Sequence, residues 1–331
     1  MPANLTPQYQ KAERQYRRAQ NAREQVDSLQ LMLQLIPRHK GTEKLQADLK
    51  TRLKEARQEL QREQSAAKST NFYRFPRQGA GRVVIIGPTN SGKSRVLKEL
   101  TRAEPEVAPF PFTTRVPLPG MMTWQDVDIQ LIDTPAITTA GPDPSLLNLI
   151  RSADCALLMF DGSCDDAADD TVQVWRELQQ RRTRLSSQEG LDEADPKILH
   201  VRTLLVVTQA AEPDCPLRCE LIKNTPLENL QQIRVELDDN SSVEALRAAV
   251  FAALKLMRIY TRRPGESPDA QPVVLPSGST VEALALEIHH DIFTNLRYAR
   301  LWGAAQHAGQ SVGRDFPLTD GDLVELHTHK G

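Results

Sequence analysis

VVIIGPTNSGKS, residues 83–94, is the stretch that decides the fold. Its first four residues form an apolar, β-branched run, as in a strand buried on both faces. The next eight match GxxxxGK[ST] in full, and a helix-like stretch begins near Lys93. Strand, glycine-bounded turn and helix, in that order, are the context in which this motif builds a phosphate site. Gly87 and Gly92 let the backbone curl so that successive amides point inward, with Pro88, Thr89, Asn90 and Ser91 forming the turn between them. Lys93 is expected to bridge the β- and γ-phosphates, and Ser94 to give an oxygen to Mg²⁺. The expected fold class is therefore α/β: a P-loop nucleoside-triphosphatase domain with a mostly parallel sheet.

The surrounding sequence agrees. Val83–Ile86, Ile129–Ile132, Ala156–Phe160 and Leu204–Val207 are short apolar runs separated by helix-like stretches, the texture of a parallel sheet covered on both faces. Asp133 ends the second run about forty residues after Lys93, where a magnesium-ordering carboxylate belongs. Between them lies PFPFTTRVP, residues 109–117, in which a threonine could ligate Mg²⁺ and sense the γ-phosphate. A stiff surface loop is the competing reading of that proline-rich stretch.

The chain has 331 residues, enough for about two domains and a smaller appendage. Apolar side chains at Tyr9, Ala12, Tyr16, Ala19, Ala22, Val26, Leu29, Leu33 and Ile36 predict a helix over 7–36. Pro37 ends it, and Leu45, Leu49, Leu53, Ala56 and Leu60 predict a second, antiparallel helix. Residues 64–78 lose the pattern and read as a linker, and 186–198 read as an acidic surface loop. A helix near 243–257 is expected to close the central domain, and Pro264–Pro268 signals another linker. A capping box at Ser279 and Glu282 opens a helix among three further strands. The expected domains are 1–78, 79–262 and 263–331.

Residues 1–82 hold 17 Lys and Arg against 8 Asp and Glu, while the remainder holds 24 against 35. A basic end on an acidic body suggests a polyanion partner, with a solvated helical surface as the plain alternative. No apolar run reaches the roughly 18 residues that span a bilayer, so no membrane partner is expected. The four cysteines are too few for a disulfide scaffold, which fits a reducing cytoplasmic setting. The Arg-rich amino terminus leaves organelle targeting as an alternative.

Several of these stretches carry a resemblance. Phe112-Thr113-Thr114 ahead of Val116-Pro117, and Asp133-Thr134-Pro135-Ala136 in place of a DxPG, resemble the Obg-type GTPases, in particular the developmentally regulated GTP-binding proteins. IPRHKGTEKLQADLKTRL (36–53) resembles that family's helical N-terminal region. LMRIYTRRPGESPDAQPVVLPSGSTVE (256–282) and YARLWG (298–303) resemble its TGS domain, a ubiquitin-like β-grasp module. The resemblance implies a GTPase-like switch of the translation-factor class, with an N-terminal helical hairpin and a C-terminal TGS domain. It implies that Phe112, Thr113, Thr114, Asp133, Thr134, Pro135 and Ala136 line the nucleotide. Lys93, Thr114 and Asp133 would then be catalytic, and Ser94 and Thr114 would hold Mg²⁺. Ile137 stands where many GTPases carry a water-orienting glutamine. The implied partners are ribosome or RNA, reached through the basic hairpin and the TGS domain, with an accessory protein as a further candidate. Neutralising Arg14, Arg17 and Arg18 is expected to weaken such binding.

The pattern breaks at the base. A guanine site uses Asn-Lys-x-Asp, and here Thr208, Gln209 and Ala211 stand in the Asn, Lys and Asp places. Losing two hydrogen bonds to a charged partner costs about 3–6 kcal/mol of guanine preference. Val235-Glu236 replaces the Ser-Ala whose amide helps hold the base in relatives, and Asp214 is a candidate replacement carboxylate. Thr208 and Gln209 remain the expected base contacts of a degenerate guanine motif. The ligand is expected to be GTP or GDP with Mg²⁺, and Asn90 makes K⁺ a further candidate. Two other readings stay open: an NTPase of relaxed base choice that accepts ATP, and a non-hydrolysing adaptor on a GTPase fold.

Overall fold

The computed structural model describes residues 6–19, 22–36, 42–65, 73, 75–101, 116–303 and 309–329. Phe112, Thr113 and Thr114 lie outside the described residues.

The basic end forms α1 (Pro7–Arg18), α2 (Ala22–Leu35) and α3 (Glu43–Ser65). Val26, Leu29, Met32 and Ile36 close against Leu49 and Ala56, and Tyr9 and Ala12 join the same core. The one helix expected over 7–36 is thus two. Ala19 ends α1 with a tight turn onto the Tyr16 carbonyl at 3.2 Å. The break is hidden in the sequence because the small residues on either side keep the apolar spacing intact.

The central sheet contains β1 (Arg82–Ile86), β2 (Leu118–Trp124), β3 (Val127–Asp133), β4 (Cys155–Asp161), β5 (Thr183–Ser186), β6 (Gly190–Leu191), β7 (Leu199–Thr208) and β8 (Gln231–Arg234). Their order is β2-β3-β1-β4-β7-β5, with β6 and β8 also paired to β7. β1 is buried at every residue and runs parallel to β3 and β4; β4 and β8 run parallel to β7. Helices α4 (Lys93–Leu100), α5 (Pro144–Arg151), α6 (Ala167–Gln180), α7 (Cys215–Glu220) and α8 (Asn240–Ala253) connect these strands. Because the strands are parallel, the turns after β1, β3, β4, β7 and β8 all leave one edge of the sheet, the place where ligands bind in such folds.

The acidic stretch 186–198 is more than a surface loop. Glu189 pairs with Arg17 at 2.9 Å, and the Pro196 carbonyl accepts from Arg52. Arg18 reaches Asp154 at 3.3 Å, where Arg77 and the Arg82 amide also converge. Part of the charge asymmetry is therefore satisfied within the molecule. Arg17 and Arg18 make these pairs within the molecule. The basic groove of the hairpin lies elsewhere, lined by Lys50, Lys54 and Arg57 on α3. The later part of the expected linker is also anchored, with Tyr73 and Phe75 packed on the central core.

The C-terminal unit consists of β9 (Leu256–Arg262), β10 (Val273–Pro276), α9 (Val281–Ile288), α10 (His290–Asn295), β11 (Leu296–Trp302), β12 (Gln310–Val312) and β13 (Leu323–Thr328). Its sheet has the order β10-β9-β13-β11-β12, with β9 and β13 parallel. Val281, Leu284 and Ala285 of α9 pack against Met257, Ile259, Ala299, Leu301 and Val324. The expected boundary at 262/263 moves forward. α8 stops at Ala253, and β9 pairs with β10 and β13, so this unit starts near Lys255. Pro264-Gly265 belongs to the connection between two paired strands, where turn residues look the same as in a linker. The helix cap is Thr280, which accepts from the Ala283 amide, while the Ser279 hydroxyl donates to Pro276. No helix among the described residues is long and apolar enough to cross a membrane.

Candidate nucleotide site

Residues 87–92 turn between β1 and α4 as the motif requires. Gly92 has φ 81° and Asn90 φ 58°, both in the left-handed region that glycine and asparagine tolerate best. A side chain at Gly87 would meet the Ser91 hydroxyl at 2.8 Å and the Met159 Cβ at 2.9 Å, so only glycine fits there. Lys93 is buried, and its ammonium donates to the Pro88 carbonyl at 2.5 Å and to Ser91 Oγ at 3.4 Å. Burial lowers its pKa, opposed by the nearby Asp133. The ammonium thus closes its own loop, a contact that a polyphosphate would replace.

Asp133 ends β3 in register with Ile85 of β1, directly beside the loop. Ser94 donates to its Oδ2 at 2.5 Å, and its Oδ1 is buried with no partner among the described residues. Burial raises the Asp133 pKa, with the Ser94 hydroxyl and Lys93 pulling the other way. A hydroxyl beside a carboxylate that keeps one unsatisfied oxygen fits a hydrated divalent cation: Ser94 as ligand, Asp133 through ordered water.

The segment after Asp133 is tied down. Thr134 bonds the Ile85 carbonyl through both its amide (3.2 Å) and hydroxyl (2.7 Å), and the Ile137 amide donates to Gly87 at 3.1 Å. Ile137 is 3% exposed and belongs to the central core, so it faces away from any phosphate. Ala136 is not among the residues of positive φ. Gly141, at φ 74°, turns under Arg181, which donates to the Ala140 carbonyl at 3.2 Å and pairs with Glu177. Nothing in the sequence pattern marked Arg181 as the anchor of this segment.

On the base side, Thr208 is buried and donates to the Phe160 carbonyl at 3.3 Å. It lies beside Gly92, its methyl 3.7 Å from where a Cβ would stand. Gln209 follows at φ 52°. Asp214 does not enter the site: it is exposed, precedes α7 without a side-chain capping bond, and lies 3.9 Å from Arg218. The carboxylate that does arrive belongs to Glu236, whose Oε2 accepts from the Ala211 amide at 3.3 Å. The sequence showed that Ser-Ala was missing here, and its replacement by an acid was the available signal.

The strand-edge placement of Lys93, Ser94, Asp133 and Thr208 agrees with what the chain resembles. Residues 82–207 match a family described as 50S ribosome-binding GTPase, and residues 257–328 match the TGS domain. An uncharacterized GTP-binding protein of Methanocaldococcus jannaschii is 24% identical over 92% of this chain and 92% of its own length. A developmentally-regulated GTP-binding protein 2 homolog of Dictyostelium discoideum is 24% identical over 92% of this chain and 98% of that relative. The Schizosaccharomyces pombe YchF GTPase structure covers 76% of this chain and 99% of its own at a TM-score of 0.51 and 10% identity, a likeness of fold. A GTPase-domain match followed by a TGS-domain match, and similarity along most of its length, make the chain similar to the developmentally regulated GTP-binding proteins.

Proposed function

We propose that the protein binds GTP and GDP with Mg²⁺, hydrolyses the γ-phosphate slowly, and uses the nucleotide to govern association with ribosome or RNA. The observation that carries the reading is the buried oxygen of Asp133, without a partner among the described residues, beside the Ser94 hydroxyl. Mg²⁺, when bound, supplies positive charge that neutralises the phosphate oxygens. Lys93 would leave the Pro88 carbonyl for the phosphates, and the backbone N–H groups of residues 89–94 would hold them. Water would attack the γ-phosphorus in line, breaking its bond to the bridging oxygen so that GDP and inorganic phosphate leave. Gly87, Pro88, Thr89, Asn90, Ser91, Gly92, Lys93 and Ser94 form the cradle. Asp133, Thr134, Pro135 and Ala136 form its second wall, and Thr208 and Gln209 border the base. Phe112, Thr113 and Thr114 are proposed to complete it from the loop 109–117.

The burial of Ile137 favours a second reading, a nucleotide-binding adaptor with little turnover, because no glutamine orients water there. Side-by-side titration of GTP, GDP and ADP, with and without Mg²⁺, followed by phosphate release, tests both. Magnesium-dependent, guanine-preferring binding supports the first reading. Binding without phosphate release supports the adaptor, equal affinities support relaxed base choice, and no binding removes all three.

For the polyanion partner, support comes from Lys50, Lys54 and Arg57 on α3 and from one face of the C-terminal sheet. There Arg262, which also pairs with Glu325 at 3.0 Å, lies 3.7 Å over Trp302, and Tyr298 stacks on His327 at 4.5 Å. Cations interleaved with aromatic rings suit an RNA strand, whose bases stack and whose phosphates attract charge. A cytoplasmic location follows from that partner.

A further inference from the structure

Ala211 stands where a guanine site places its carboxylate, yet a carboxylate is present at this spot. Glu236, from the turn after β8, extends to the Ala211 amide at 3.3 Å. Its backbone is held firmly. The neighbouring Val235 amide donates to Val207 at 2.8 Å, and its own amide donates to the Ser242 hydroxyl at 2.8 Å. Two residues on, Asp238 pairs with Arg95 of α4 at 2.5 Å, fixing the same turn from the side of the phosphate loop. Three elements therefore position one acid beside the base loop.

We propose that Glu236 reads the base, supplying from the turn after β8 the carboxylate that the loop after β7 lacks. The inference rests on the nucleotide-binding reading above. A carboxylate only accepts hydrogen bonds. It therefore suits an edge that presents two donors side by side, as guanine does with N1–H and its 2-amino group. Adenine presents the acceptor N1 and a C–H at the corresponding positions and offers neither oxygen a donor. The contact with Ala211 is what the acid makes in the absence of ligand, and the base would take its place.

The test is equilibrium binding of GDP, IDP, XDP and ADP with Mg²⁺ to the full chain and to Glu236→Gln. Ratios of affinities are compared within each protein, so a general loss of folding cancels. Wild-type protein is expected to prefer GDP over IDP, which lacks the 2-amino group, by about tenfold or more. Glu236→Gln is expected to lose that preference and to gain XDP, because an amide can donate to the 2-oxo group that xanthine carries there. Equal GDP and IDP affinity in the wild type, or ratios unchanged in the variant, overturns the role of Glu236 and leaves nucleotide binding standing. Tighter binding of all four nucleotides by Glu236→Ala would show that the acid blocks the pocket, and also overturns it. If none of the four binds wild-type protein, the nucleotide reading fails and this inference falls with it.

Discussion

The two ends of the nucleotide site are built differently. At the proposed phosphate end, function would depend on backbone amides and on three side chains fixed by the strand-turn-helix geometry. Gly92 turns, Lys93 is buried, and Ser94 meets Asp133 at 2.5 Å. At the proposed base end, specificity would depend on side chains, and Thr208, Gln209 and Ala211 stand in the places of Asn, Lys and Asp. The difference teaches that the course of the chain and its reading groups have separate sources: β7 is held by pairing with β4 and β8, whatever side chains follow it. Changes at the phosphate end strike the fold as well as the site; changes at the base end need not.

The largest effect is expected from Asp133→Asn, which attacks the intact end. Binding of magnesium nucleotide should weaken by about a hundredfold, the upper range for groups that orient a metal's ligands. The nucleotide-free protein should at the same time become more stable, because a neutral amide costs less to bury than a carboxylate. Burial raises the folded-state pKa of Asp133 above its unfolded value. Its contribution to stability is then fully present below the unfolded pKa and lost as pH rises through the raised one. Asp154 runs the other way: its arginine partners outweigh its burial and lower its pKa. Its contribution is present above the unfolded pKa and lost as pH falls through the depressed one. Comparing thermal melts of wild type and variant between about pH 3 and 7 isolates Asp133. The stability difference should grow toward neutral pH, and a constant difference would contradict this account.

How much of each end was legible follows from the same contrast. Residues 87–94 and Asp133 were readable because their chemistry demands fixed residue types at fixed spacing, and β1, β3, β4 and β7 because buried parallel strands are continuously apolar. β8, QQIR, was not readable, since it is largely exposed and polar and exists only because β7 offers it an edge. Glu236 was visible as a missing Ser-Ala, but its reach to Ala211 depends on that unreadable strand. The end of the G domain was obscured for a similar reason: β9 looks like the tail of a helix until its partners β10 and β13 are known. Arg17 and Arg18 read as surface charge because their acceptors, Glu189 and Asp154, are more than 130 residues away.

A smaller effect is expected at the altered end, from restoring the acid in its usual place. Ala211→Asp alone puts a second carboxylate against Glu236, and two like charges so close oppose each other. GDP affinity should change little or fall. Ala211→Asp combined with Glu236→Ala removes that conflict and should raise the GDP-to-ADP affinity ratio by about tenfold over Glu236→Ala alone. Isothermal titration of the three variants decides the matter. A full gain from Ala211→Asp alone would mean that Glu236 lies outside the base pocket.

The smallest effect concerns Asn90, at the tip of the phosphate loop. Its φ of 58° leaves two accounts of why an asparagine is there. One is conformational: asparagine tolerates the left-handed region, and glycine would serve as well or better. The other is chemical: its side-chain oxygen helps hold a K⁺ ion against the phosphates and so speeds hydrolysis. Asn90→Gly separates them, because it keeps the backbone and deletes the amide. On the chemical account, wild-type phosphate release should run a few-fold faster in K⁺ than in Na⁺, and the variant should run at the Na⁺ rate in both. On the conformational account the two salts give one rate before and after the change. Asn90 is exposed, so the substitution should leave the melting temperature almost unchanged, and a difference in rate would belong to the ion.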